Sequence, residues 1–483
     1  MGKMWRSFRE AGGSTPMNIK NKRLISVAVC SFLFAYLLTF VFEGKVLYSL
    51  LDYFEANNST YVIAAIMAHF IGLVTCGFAV KSQKMAKSSL RLGILVCLIA
   101  TIPFFFTPSA LWLVSLIVTG FSSGWAFASW SWFLKSCTPK DCRIKSCADV
   151  LIVSNVIMIG INVVAVNCSA FVGLALSMLS LATGLIIAHW LPMEEDSTPT
   201  NENNNRLSLN LRKPLFLLFV FIAVITINSG LMYQVINPAF LHLSSLTSWY
   251  WAVPYILALL VMRNLPAKAK RSRILYAGMV MIMSTFVCFM LMGRGNLDYL
   301  VIDTLMLGAC GIFDLFWWSI IGEMLEYSNN PVKVSGIGLS ANVFGVLCGD
   351  LLGIWMASVS LPEAQITVIA LCVVCVTLVL LPPLNNQLVL LLKSHTYLSV
   401  YSSLSQTKQT EILQTVKALD PLTSRESEVL EQLMLGKTNK EMAATLGISE
   451  NTVKTHVRNI YSKYDVSSRA ELISTLLKNQ ANP

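Results

Sequence analysis

Leu422-Thr-Ser-Arg-Glu426 opens a stretch that runs on through Gly436-Lys-Thr-Asn-Lys-Glu441 and Thr452-Val-Lys-Thr-His456 to Leu476. It reads as four short helices with marked ends. Thr423 and Glu426 are spaced as a capping box, in which each side chain satisfies the other's free backbone N–H. Val429, Leu430, Leu433 and Met434 then recur at helical spacing, and Gly436 stands where a left-handed helix stop belongs. Thr438 and Glu441 repeat the capping box for a second helix, which turns Met442, Ala443 and Leu446 inward and stops at Gly447. Ser449 is placed to cap a third. On that third helix, at about 100° per residue, Val453, Val457, Ile460 and Tyr464 share one face. Asn451, Lys454, Thr455, Arg458 and Ser462 share the opposite one. A helix anchored on one side and cationic on the other suits a DNA major groove, where long Lys and Arg side chains reach base edges or phosphates.

The stretch resembles the DNA-binding domain of LuxR-type transcriptional regulators. Leu422, Thr423, Arg425, Glu426, Val429, Leu430, Gly436, Thr438, Asn439, Lys440, Glu441, Ala443, Leu446, Ser449, Thr452, Val453, Lys454, His456, Ile460, Lys463 and Arg469 carry the resemblance. It implies that Lys454, Thr455 and Arg458 face the bases. It implies that Thr438, Asn439, Lys440, Thr452 and Lys463 lie nearest the phosphates, and that two copies bind inverted half-sites as a homodimer. Net charge alone does not separate DNA binding from protein binding. From Pro421 to Pro483 there are eight Lys/Arg and seven Asp/Glu, so the placement of the cations on the third helix decides it.

The rest of the chain is of another kind. Over all 483 residues the sequence is 55% hydrophobic and 13% charged, against roughly 25% charged for an average soluble protein. Apolar stretches long enough to span a bilayer fall near 24–42 (with an extension toward Leu51), 60–80, 90–106, 109–134, 148–167 and 170–191. A polar insert, 192–213, separates them from six more near 214–232, 249–262, 274–292, 299–322, 334–357 and 364–382. The predicted fold class is therefore all-α. A basic arm (1–23) leads into a twelve-span membrane domain (24–382), then a linker (383–420), then the helix-turn-helix domain (421–483). Pro382-Pro383 is expected to end the last span.

Twelve spans put both termini on one side. Loops assigned inside carry Lys81, Lys84, Lys87 and Arg91, then Lys135, Lys140, Arg143 and Lys145, then Arg263, Lys268, Lys270, Arg271 and Arg273. Loops assigned outside offer Lys45 and Arg294. By the positive-inside rule both termini are cytoplasmic and the protein sits in the inner membrane. The basic arm is read as part of the same bias, with a second nucleic-acid contact as the alternative.

Six spans, a polar loop and six spans resemble the major facilitator superfamily. That resemblance implies two six-helix halves with a binding cavity between them at the midplane. The loop between spans two and three, Gly77-Phe-Ala-Val-Lys-Ser-Gln-Lys84, lacks the Asp-Arg pair usual in transporters of that family. This favours a transporter fold kept for sensing over active transport.

Polar groups inside apolar stretches are costly and mark candidate sites. Asp303 and Asp314 are eleven residues apart in span ten, which returns them to one helix face. With Glu43, Asp350, Asn155 and Asn162 they form the candidate ligand cavity, and His69 lies in span two. Trp125, Phe127, Trp130, Trp132 and Phe133, and again Phe313, Phe316, Trp317 and Trp318, are placed either to stack on an aromatic ligand or to pack helices. The twelve cysteines mostly sit in apolar runs, as small hydrophobes. Cys137, Cys142 and Cys147 recur every five residues, which is not the spacing of a zinc site. No metal, cofactor or catalytic constellation is expected. The expected partners are promoter double-stranded DNA, a small molecule, membrane lipid and a second copy of the chain. An active secondary transporter with an added DNA-binding domain is the alternative function.

Overall fold

The computed structural model describes residues 19–42, 44–55, 59–193, 212–265, 271–325, 328, 330–403, 420–435, 437–466 and 469–478. Glu43, Lys268, Lys270, Gly436, most of the basic arm, most of the polar insert and the linker residues Leu404, Ile412, Leu413, Val416 and Leu419 lie outside them. The chain divides into two units, one made of 1–193 and 218–379, the other of 194–217 and 380–483.

Among the described residues of the chain, twelve helices are long and apolar enough to cross a membrane. They are Lys20–Tyr53, Tyr61–Ala79, Gln83–Phe105, Ala110–Cys137, Arg143–Asn167 and Ala170–Ala188, then Leu215–Ala239, Leu241–Arg263, Arg273–Leu291, Asn296–Met324, Pro331–Ser358 and Glu363–Asn386. They coincide one for one with the expected stretches. Where helices run past the apolar core, hydropathy had missed their ends. The helix of span three starts at Gln83, capped by Ser82, whose hydroxyl accepts from the Met85 N–H, and its first turns carry Lys84 and Lys87.

Close packing between spans rests on small residues, as expected where lipid supplies no hydrophobic contrast. A methyl group on Gly120 of span four would lie 2.3 Å from the Ala65 carbonyl of span two. One on Gly345 of span eleven would lie 2.2 Å from the Ala223 carbonyl of span seven. Spans one and seven, the first of each half, share a further feature. Each widens into a π-helical turn, Leu37–Val41 in span one and Met232–Ile236 in span seven. Such turns expose backbone carbonyls and frequently sit at functional sites.

One expectation is corrected. Pro382 and Pro383 do not end the last span, because one helix runs from Glu363 to Ser403 through both. Each proline lacks an N–H and leaves a carbonyl one turn back without its helical partner. Both residues are exposed, and membrane helices absorb such defects through local adjustment.

In the second unit, α1 (Ser424–Met434), α2 (Asn439–Leu446), α3 (Glu450–Lys463) and α4 (Arg469–Lys478) form the C-terminal module. Val429, Leu430, Leu433, Met442, Val453, Ile460, Leu472 and Leu476 make its core. Both capping boxes are present, Thr423 with Glu426 and Thr438 with Glu441. Gly447 is left-handed, with φ 65°, a conformation that costs a residue with a Cβ about 1–2 kcal/mol.

Candidate nucleic-acid interface and ligand cavity

Helix α3 is anchored on one face, with Val453 and Ile460 fully buried. Asn451, Thr452, Lys454, Thr455, Arg458 and Asn459 are exposed on the other. Ser449 caps it, accepting from the Thr452 N–H at 3.1 Å. Lys454 pairs along the helix with Glu450 at 3.0 Å. Both side chains are about half exposed, so the pair contributes little to stability and leaves the lysine available. The Thr438 hydroxyl belongs to the α2 capping box, donating to Glu441 Oε2 at 2.9 Å and accepting from its N–H at 3.2 Å. Lys440 is exposed and Asn439 half-buried.

Lys463 stands apart from the other expected phosphate neighbours. Its ammonium donates to Glu426 Oε2 and to the Pro421 carbonyl, each at 2.8 Å, tying the end of α3 to the start of α1. The same Glu426 carboxylate accepts from the Thr423 N–H and hydroxyl. The Lys463 hydrogen bond, with these, holds the Glu426 carboxyl well below its usual range, down to about 2. Arg469 also serves the interior. Its guanidinium donates to the Lys437 carbonyl at 3.0 Å and to the Leu433 carbonyl, satisfying acceptors at the C-terminal end of α1. Burial pulls its proton affinity down, to about 10.

In the membrane bundle a cavity of about 160 Å³ lies among spans one, two, four, five, seven, eight, ten and eleven. Phe34, Leu38, Phe42, His69, Phe127, Asn155, Ser229, Tyr233, Trp251, Tyr255, Asp314, Trp317, Trp318 and Asn342 are among the residues lining it. Both π-helical turns contribute, through Leu38 and through Met232 with Tyr233. Asp314 is held by two donors. The Tyr255 hydroxyl reaches Oδ2 at 2.8 Å and the Trp317 indole reaches Oδ1 at 3.0 Å. Phe34 stacks on Phe127 at 5.1 Å, and Phe42 meets the His69 ring edge-on at 4.6 Å.

Of the expected cavity residues that are described, the structure brings Asp314 and Asn155 together and leaves Asp303, Asn162 and Asp350 elsewhere. Asp303 is buried away from the cavity and Asp350 packs near Gln234, whose amide approaches it at 3.5 Å. Eleven residues do share a face, but at 1.5 Å each they also separate Asp303 from Asp314 by roughly 16 Å along the axis. Asn162 is displaced from Asn155 in the same way, by two turns. Glu43 lies outside the described residues. Of the aromatic clusters, Phe127, Trp317 and Trp318 line the cavity, while Trp130 donates to the Ser26 carbonyl at 2.9 Å. Phe34, Tyr233, Trp251 and Tyr255 were not singled out from sequence, because aromatic residues are common in every span and hydropathy carries no sign of which face looks inward.

Residues 420–476 match the family described as bacterial regulatory proteins, luxR family. An uncharacterized response regulatory protein of Escherichia coli (strain K12), YgeK, is 54% identical over 57 residues, which is 12% of this chain and 39% of that protein. The CsgBAC operon transcriptional regulatory protein of the same organism is 49% identical over 53 residues, 11% of this chain and 24% of that protein. The match thus spans well under half the length of either. The solved proton:xylose symporter XylE of the major facilitator superfamily superposes with a TM-score of 0.58 at 12% identity, covering 74% of this chain and 94% of that one. A bacterial homologue of the iron transporter ferroportin, in an outward-facing state, gives 0.55 at 12% identity over 77% of this chain and 100% of that one. The chain therefore joins a C-terminal helix-turn-helix domain of the luxR family to a multi-pass membrane bundle with the major-facilitator fold.

Proposed function

We propose that this protein is a membrane-embedded one-component transcriptional regulator. A small molecule occupies the aromatic cavity of the bundle, and the helix-turn-helix domain binds promoter DNA. The observation that carries the reading is the exposed polar face of α3 in a chain whose other unit is a membrane bundle with an internal cavity. Lys454, Thr455 and Arg458 read base edges, and the N-terminal ends of α2 and α3, with Thr438, Asn439, Lys440 and Thr452, approach phosphates, as anions favour helix N-termini. Lys463 spends two of its three N–H donors on Glu426 and Pro421 and keeps one for a phosphate. A ligand acts by favouring one arrangement of the two six-helix halves, and only by its difference in affinity between arrangements. The excess of Lys and Arg in alternate loops supports cytoplasmic termini in the inner membrane, which places the module with the DNA. Two modules on inverted half-sites form the DNA-bound homodimer, and tethering to the membrane raises their effective concentration.

The test is a transcriptome comparison. Cells carrying the intact protein and cells carrying Lys454→Ala with Arg458→Ala are each exposed to a panel of small molecules. A gene set that responds to one compound only with the intact protein is the expected result. Genes that depend on the protein but on no compound would leave the bundle a mere anchor. Active secondary transport is the second reading, favoured by a cavity among the spans of a transporter fold. Uptake of the responding compound into vesicles that lack DNA would establish it.

A further inference from the structure

We infer that the cavity selects a small organic cation of about one aromatic ring and excludes organic acids. The inference deepens the sensor reading above and rests on it for biological meaning, though not for its chemistry.

Among the described residues, the one charged group the cavity offers is an acceptor, and the donors it offers, the Trp251 indole N–H and the Asn342 amide among them, are neutral. Asp314 supplies a carboxylate whose two oxygens each take one neutral donor, from Tyr255 and Trp317. A carboxylate has about four acceptor sites, so it keeps capacity for a ligand. Asn155 donates one amide N–H to the Leu151 carbonyl at 2.8 Å, which leaves its carbonyl oxygen as an acceptor and its second N–H as a neutral donor. His69 Nδ1 lies 3.2 Å from the Gly120 carbonyl and 2.9 Å from the Ser123 hydroxyl. A carbonyl only accepts, so Nδ1 carries the proton and Nε2 is left an acceptor.

No Lys or Arg lines the cavity among the described residues. The carboxylate therefore has no protein cation beside it. A charge in so apolar a setting is stabilised when a ligand brings the opposite sign and is destabilised by a second negative charge. The walls add to the preference. Phe34, Phe127, Trp251 and Trp318 present aromatic surface, whose negative ring faces attract cations and repel anions. The size follows from the volume. About 160 Å³ is close to the roughly 150 Å³ cavity that encloses benzene in a protein core, so one ring with up to three further heavy atoms fits.

The test uses three probes built on one ring and carrying three charges. Benzylamine is cationic at neutral pH, benzyl alcohol is neutral and benzoate is anionic. Each is titrated into the full-length protein in lipid nanodiscs, without DNA, and read by calorimetry and by tryptophan fluorescence, since Trp251, Trp317 and Trp318 line the site. Benzylamine is expected to bind at least tenfold more tightly than benzoate, about 1.4 kcal/mol, with benzyl alcohol between them. Asp314→Asn is expected to remove most of that preference while leaving benzyl alcohol binding in place. Val343→Phe, which fills the cavity without touching the carboxylate, is expected to abolish binding of all three. Benzoate binding as tightly as benzylamine, no binding of benzylamine, or a preference that survives Asp314→Asn would overturn the inference. Because DNA is absent, cation binding without any promoter response would sink the sensor reading and leave the cavity chemistry standing. A promoter response to an organic acid acting through this cavity would do the reverse.

Discussion

Asp149 at the start of span five and Arg263 at the end of span eight are joined by an ion pair, Oδ1 to Nε, at 2.6 Å. The other oxygen of Asp149 pairs with Arg23 of span one, and Arg23 also donates to Ser146 at 2.7 Å. One carboxylate thus ties the two halves of the bundle together at the end that bears the cationic loops. A second joint is made without an ion pair among the described residues. There the Asn330 amide donates to the Gly77 and Val80 carbonyls at 3.2 and 3.1 Å, linking the start of span eleven to the end of span two. Gly77 lies in the loop sequence where transporters of this fold usually carry an Asp-Arg pair, so the contact between halves is made here by other residues.

Asp149→Asn leaves two guanidinium groups side by side without their shared counter-charge. The groups are partly exposed, which limits the loss to about 1.5–3 kcal/mol, the range for hydrogen bonds to charged groups. The expected outcome is a lower unfolding temperature of the detergent-solubilised protein. Arg263→Lys should recover little of it, since a lysine lacks the planar fork.

Glu426 makes the module sensitive to acid. Its carboxyl sits near 2 in the folded state against an ordinary 4.5, so it is the ionised form that folding favours. The stabilisation is complete above about pH 4.5 and is lost as pH falls toward 2. Glu426→Gln should destabilise the module at neutral pH by about 1–3 kcal/mol and flatten its stability across that acid window. Hydrogen exchange of α1 and α3 amides in the full chain, followed against pH, measures both effects. An unchanged acid profile would mean that Glu426 is not the group responsible.

Arg469→Ala removes the guanidinium that satisfies the Leu433 and Lys437 carbonyls. Leaving buried acceptors unpaired costs about 1–3 kcal/mol. Faster exchange in the last turn of α1 is expected, with α3 affected less. Equal loosening of all four helices would show that Arg469 supports the core as a whole.

Lys454→Ala with Arg458→Ala changes only exposed side chains of α3, so the module should keep its fold. Specific DNA binding should be lost, because each good base contact contributes about 1–3 kcal/mol of discrimination. A footprinting titration at fixed salt checks this. Retained affinity with retained sequence preference would remove these residues from the base-reading set.

The number of spans and the ends of the module's helices were legible in the sequence because both are local. A membrane helix satisfies its own backbone hydrogen bonds, so about 20 apolar residues suffice to announce it. A capping box needs only Thr423 and Glu426, or Thr438 and Glu441, three positions apart. The anchored face of α3 is likewise a matter of spacing. Lys463 shows where this stops. The family resemblance put it among the cations nearest the phosphates, but Glu426, 37 residues earlier, accepts a hydrogen bond from it. Pro382 and Pro383 read as a stop, yet the helix continues.

The cavity was decided by tertiary structure alone. His69, Asn155, Ser229, Tyr255 and Asp314 come from five different spans, and nothing local to any one of them says which turn of which helix faces the others. Asp303 and Asp314 make the point within a single helix: they share a face, and depth along the axis sends one to the cavity and the other into packing. In a bundle whose helices are apolar all round, hydropathy reports that a segment is in the membrane. Its rotation and depth are set by small residues at the crossings, such as Gly120 against Ala65 and Gly345 against Ala223, where close approach of backbones decides which side chains meet.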